Sequence, residues 1–111
     1  MRFKKNRVET PQILLLVSSR TRAKKRNIPF ALTVEWANSA WTGRCAVTGI
    51  SFELGTGRVM RSPSLDRIKP ELGYVPENCR FVLWAVNTFK GTGTDTEMLE
   101  VAKAMVQNFS V

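Results

Sequence analysis

Histidine is missing altogether from this chain of 111 residues. Its absence removes the side chain that most often activates water near neutral pH, and with it the commonest imidazole ligand of a transition metal. Only two cysteines are present, Cys45 and Cys79, enough for at most one disulfide. Without histidine they cannot complete a four-ligand Cys/His zinc site, so no structural zinc is expected and both thiols read as reduced and buried. Long hydrophobic runs are also lacking. Apolar runs such as Ile13 to Val17 fall far short of the ~20 residues a spanning helix needs. The basic start, Met1-Arg2-Phe3-Lys4-Lys5, is not followed by the apolar stretch and small-residue cleavage site of a secretory signal. A soluble, cytoplasmic protein without a membrane partner is the expectation. Acidic residues are few, nine against seventeen Lys and Arg, which leaves a formal net charge of +8 and a surface suited to polyanions.

With 43% hydrophobic residues the chain has material for one modest core, so a single domain over residues 1–111 is expected. Residues 1–9 form a basic lead-in, expected to be mobile. Two helices are expected over residues 10–42. Thr10 is placed to cap the first and Pro11 to begin it, Ile13, Leu14, Leu16 and Val17 give it an apolar face, and Asn27 and Pro29 stop it. Thr33 opens the second, which runs to about Ala40. Gly43, Gly49, Gly55 and Gly57 then punctuate short apolar pieces, Cys45-Ala46-Val47 and Val59-Met60, that read as short strands. An extended segment follows at Leu65 to Ile68. From Phe81 to Lys90 the apolar spacing fits a helix ending at Gly91. Thr94 with Glu97 makes a capping box for a last helix over residues 94–109, whose Met98, Ala102, Met105 and Phe109 share one face and read as packing residues.

Four pieces in order carry a resemblance: Cys45-Ala46-Val47-Thr48-Gly49, Ser62-Pro63-Ser64-Leu65-Asp66-Arg67-Ile68, Gly73-Tyr74-Val75-Pro76-Glu77-Asn78 and Ala85-Val86-Asn87-Thr88-Phe89-Lys90. Together with the upstream basic stretch from Arg22 to Thr33, the chain resembles the HNH (His-Me finger) endonucleases, particularly small phage-encoded members. The resemblance implies an α+β fold, a ββα-metal core at residues 43–91 flanked by N-terminal and C-terminal helices. It implies a divalent-metal-dependent DNA endonuclease, hydrolysing phosphodiester bonds and nicking double-stranded DNA with one Mg2+ or Mn2+. Asp66 then matches the aspartate metal ligand, Asn78 the asparagine that holds the hairpin loop, and Asn87 the second metal ligand on the helix. For a phage-encoded protein the compartment would be the host cytoplasm.

Arg67 departs from that pattern, because it stands where the family has its general base and a guanidinium cannot accept a proton at physiological pH. Three readings stay open. Metal-bound water is acidic enough and Arg67 contacts the scissile phosphate; or Tyr74 or Glu53 takes the base role; or cleavage is lost and a nucleic-acid-binding shell persists. Arg20, Arg22, Lys24, Lys25, Arg26, Arg58, Arg61 and Lys90 are the candidate phosphate contacts. A catalytically inactive DNA- or RNA-binding protein and a phage factor that engages a host protein are the rival functions.

Overall fold

The computed structural model describes residues 10–55 and 57–109, and the basic lead-in falls outside them. Helix α1 spans Pro11–Arg26. Pro11 takes the first helical position as expected, but Thr10 contributes its carbonyl rather than a side-chain cap, accepting the Ile13 N–H at 3.1 Å. Asn27, at φ 57°, ends the helix in the left-handed region and donates its N–H to the Ala23 and Lys24 carbonyls. Helix α2, Val34–Ala40, is capped by Thr33, whose hydroxyl accepts the Trp36 N–H at 3.0 Å. Trp36 and Trp41 lie in the core: Trp36 sits 5.4 Å from the Phe81 ring, and Trp41 stacks on Phe52 at 4.9 Å.

No strand forms at Cys45-Ala46-Val47 or at Val59-Met60, contrary to the sequence reading. Gly49, at φ 77°, turns the chain back immediately after Thr48. The segment closes on itself through Cys45 N–H to the Ile50 carbonyl (2.8 Å) and an isolated bridge between Arg44 and Ser51. So short a loop leaves no length for a ladder.

The sheet among the described residues is one antiparallel pair, β1 (Pro63–Arg67) and β2 (Cys79–Leu83), with Asp66 opposite Arg80 and Leu65 opposite Phe81. The expected helix from Phe81 is therefore shorter at its start: Phe81, Val82 and Leu83 belong to β2, and helix α3 covers Trp84–Lys90. Apolar spacing alone could not separate the two, because Phe81 packs into one buried cluster with Leu16, Ala23 and Leu65 while Val82 and Leu83 pack into another with Cys45. A short run buried on both sides has no period of two.

Two short 3-10 turns, Pro70–Leu72 and Pro76–Asn78, shape the connection between the strands. Gly73 between them has φ 75°, and a Cβ there would stand 2.9 Å from the Pro29 carbonyl. Glycine permits that approach, and Tyr74 then exchanges bonds with the α1–α2 linker, Tyr74 N–H to Pro29 O at 2.9 Å and Ala31 N–H to Tyr74 O at 2.8 Å. The connection is thereby fastened beside the basic end of α1.

Helix α4, Asp95–Phe109, begins with the expected capping box: the Thr94 N–H donates to Glu97 Oε1 at 2.9 Å and the Glu97 N–H to Thr94 Oγ1 at 3.1 Å. Its packing role is a correction. Met98 is buried, but Met105 and Phe109 on the same face are 48% and 73% exposed. The helix is buried at Met98 in its first turn and half-buried at Ala102, and the rest of that face is open. Replacing Thr94 with Ala is expected to cost about 1 kcal/mol of local stability, seen as faster amide exchange through α4 while β1 and β2 amides stay unchanged.

Candidate functional site

Alternation along β1 sends Leu65 into the core and turns Ser64 and Asp66 toward α3. Asp66 is only 3% exposed. Its Oδ2 accepts the Arg80 Nε–H at 2.9 Å, from directly across the ladder, and its two oxygens receive Lys90 Nζ at 3.2 and 3.3 Å. Lys90 is itself buried and donates also to the carbonyls of Arg67 (3.0 Å) and Ile68 (2.8 Å). Arg80 continues to Asp95 Oδ1 at 2.7 Å. Two carboxylates and two cations thus neutralise one another. Burial works against the charge on Arg80, but the bonds from Asp95 and Asp66 outweigh it and hold its pKa above the ordinary value; the same Arg80 bond holds the Asp95 carboxyl below its own.

Asn87, on α3, donates Nδ2–H to Ser64 Oγ at 2.7 Å and to the Leu65 carbonyl at 3.3 Å. The carbonyl can only accept, so the amide nitrogen is fixed toward β1 and Oδ1 is the atom left to the cavity beyond. Asn78 is buried and spans the connection between the strands. Its Oδ1 accepts the Lys69 N–H at 2.9 Å, and its Nδ2 donates to the carbonyls of Lys69 (2.9 Å) and Gly73 (2.8 Å).

Arg67 points away from Asp66. Its Nη1 donates to the Pro70 carbonyl at 2.9 Å, and its guanidinium lies over the Tyr74 ring at 4.9 Å. It forms one wall of a cavity of about 320 Å3 that is also lined by Arg22 and Arg26 from α1, Arg58, Ser64, Asp66, Tyr74 and Asn87. Arg58 is steadied over the Trp84 ring at 5.7 Å. Four arginines from three stretches of chain therefore line the cavity at the β1–α3 junction.

The structure brings together Asp66, Arg67, Tyr74, Asn87, Arg22, Arg26 and Arg58. It does not bring Glu53, which lines a different cavity with Pro11 and Leu14 and so stands apart as an alternative base. Arg20, Lys24, Lys25 and Arg61 are exposed but off the cavity wall. Lys90 is a correction: the sequence marks it as a phosphate contact, but it is turned inward, its side chain fully buried on Asp66. Arg80 and Asp95 are the participants that sequence reasoning missed. Arg80 is recognisable only from the strand register, which the helical reading of the neighbouring residues concealed.

These residues do not fit a resident divalent ion. A hard cation needs carboxylate charge to offset its own, and the one carboxylate on the cavity wall already has its charge offset by two cations, Arg80 and Lys90, which would repel a third. Among the described residues no group of three or more His, Cys, Asp or Glu is placed to hold a metal. Cys79 is a buried thiol pushed up to about 12 by burial, and so is not a thiolate ligand at neutral pH.

Asp95 provides a check by pH. Its folded pKa is depressed, so its pairing stabilises the protein above the unfolded carboxyl pKa and is lost as pH falls through the folded value. Being partly exposed, the pair contributes about 0.2–1 kcal/mol. Thermal melts of wild type and Asp95→Asn should differ at pH 7 and converge as pH is lowered below the 3.8 of a free aspartate.

No protein-family model matches this chain, and no curated protein matches it. Among solved structures it is similar to the rare-cutting HNH restriction endonuclease PacI, a protein described as perturbing DNA, with a TM-score of 0.66 and 18% identity over 88% of this chain and 78% of that one. At that identity the likeness concerns the fold alone, an α+β arrangement similar to that of the structure it matches.

Proposed function

We propose that the protein binds double-stranded DNA by seating a backbone phosphate in the arginine-lined cavity at the β1–α3 junction. The observation that carries this reading is the convergence of Arg22, Arg26, Arg58 and Arg67 on one polar pocket whose single carboxylate is already neutralised from behind. Guanidinium groups match phosphate oxygens through paired N–H donors, and each that is held in place before binding loses less freedom on contact. Arg67 is held by Pro70 and Tyr74 with most of its donors unused, and Arg58 is held on Trp84. The exposed Arg20, Lys24 and Lys25 extend the positive face along α1 and suit further backbone contacts that read no sequence.

Phosphodiester hydrolysis, the endonuclease function implied by the resemblance, is the second reading. One observation favours it: Asn87 Oδ1 is left on the cavity wall that Asp66 also lines, on a fold similar to that of an HNH endonuclease. Nicking with Mg2+ or Mn2+ would require Asp66 to release its internal cations. Of the two alternative bases considered, Tyr74 alone lies on this wall.

Duplex titrations at several salt concentrations test the first reading. Replacing Arg22, Arg26, Arg58 or Arg67 by Ala should weaken binding on every duplex sequence and make the slope of log K against log salt shallower by about 1 for each phosphate-binding arginine removed. Unchanged affinity in all four variants would sink it. Supercoiled plasmid incubated with a panel of divalent metals separates the second reading: intact plasmid supports binding alone, whereas nicking that disappears in Asp66→Ala establishes cleavage at this site.

A further inference from the structure

We infer that the Lys90 ammonium is the resident cation of this site, a tethered charge that keeps a divalent ion from binding beside Asp66. Five oxygens surround Nζ: Asp66 Oδ1 at 3.2 Å and Oδ2 at 3.3 Å, the Ile68 carbonyl at 2.8 Å, the Arg67 carbonyl at 3.0 Å and Asp95 Oδ1 at 3.6 Å. Two carboxylates and two main-chain carbonyls form the kind of oxygen set that a hard cation accepts, and the shorter separations are those of N–H···O bonds rather than of metal contacts at 2.0–2.6 Å. The ammonium has three N–H groups to distribute and no exposed surface through which to exchange them.

Its origin on α3 explains why it reaches this place. Lys90 follows Asn87 by three residues, so both lie on the helix face that meets β1: Asn87 meets it at Ser64 and Leu65, Lys90 at Asp66 and the two carbonyls beyond. One helical face thus leaves an oxygen toward the cavity and fills the cation position behind it. The Arg67 carbonyl is bound by Lys90 while the Arg67 guanidinium lines the cavity, so the ammonium also fixes the backbone from which that arginine is presented. The inference concerns the same pocket as the DNA-binding reading but does not depend on it, and its test uses no nucleic acid.

The test is a Mn2+ titration of the whole chain, with free ion followed by electron paramagnetic resonance and heat by calorimetry. Wild type should take up no stoichiometric Mn2+ at millimolar concentration. Lys90→Met, which keeps the stem and removes the charge, should bind one Mn2+ per chain at least about tenfold more tightly than wild type, since Asp66, left with Arg80 as its one matching cation, then faces two carbonyls without a donor. Its melting temperature should rise with Mn2+, and both effects should vanish in Lys90→Met/Asp66→Asn. One-to-one Mn2+ binding by wild type that is lost in Asp66→Asn would overturn the inference, as would a folded Lys90→Met that gains no Mn2+. Should Lys90→Met fold only when Mn2+ is added, that dependence supports the inference. Should it fold under neither condition, the wild-type titration decides.

Discussion

A carboxylate buried at the end of a two-stranded sheet must be matched by cations, and Asp66 is matched by two. Arg80 reaches it across the ladder and Lys90 from α3, so one charge ties β1, β2 and α3 together. Such a network is weak evidence for extra stability, since desolvation offsets much of the attraction, but removing one partner leaves an uncompensated buried charge at a cost of about 3–5 kcal/mol. The consequence is geometric. With Asp66, Lys90 and Arg80 in register, α3 lies where Asn87 meets Ser64 and Leu65, and where the carbonyls of Arg67 and Ile68 find a donor.

The electrostatics of the cavity follow from that arrangement. Because the negative charge of Asp66 is consumed on the inner side, the outer side is dominated by arginine, and the pocket favours an anion over a cation. Asn78 contributes at a distance. By closing the connection between the strands onto Lys69 and Gly73, it sets the path that carries Pro70 and Tyr74, the two groups that hold Arg67. The glycine at position 73 is part of the same device, since only a residue without Cβ lets Tyr74 pair with the α1–α2 linker so close to Pro29.

Much of this was legible in the sequence, and the failures have physical causes. Helices with explicit start and stop signals, such as Pro11 to Asn27, Thr33 to Ala40 and the Thr94–Glu97 box, are found where the sequence places them. The β2–α3 boundary was not legible, because Phe81, Val82 and Leu83 are buried on both sides and lose the alternation that marks a strand. That same misreading hid Arg80. The grouping of Arg22, Arg26, Arg58 and Arg67 was invisible for a different reason: the residues were candidates individually, but only tertiary packing selects them from the neighbouring Arg20, Lys24 and Lys25. The inward turn of Lys90 depends on a partner 24 residues earlier, and no local pattern reveals it. Met105 and Phe109 follow a helical stripe faithfully and yet stay exposed, since periodicity gives a helix its apolar face without saying what covers it.

Where a phosphate lies on this protein decides the role of the arginine-lined cavity. A crystal structure of the protein with a short DNA duplex measures this. Backbone phosphate oxygens should be bonded to two or more of Arg22, Arg26, Arg58 and Arg67, with Lys90 still seated on Asp66. DNA held on another face with this cavity free of phosphate, or Lys90 displaced from Asp66 by a metal ion, would contradict that role.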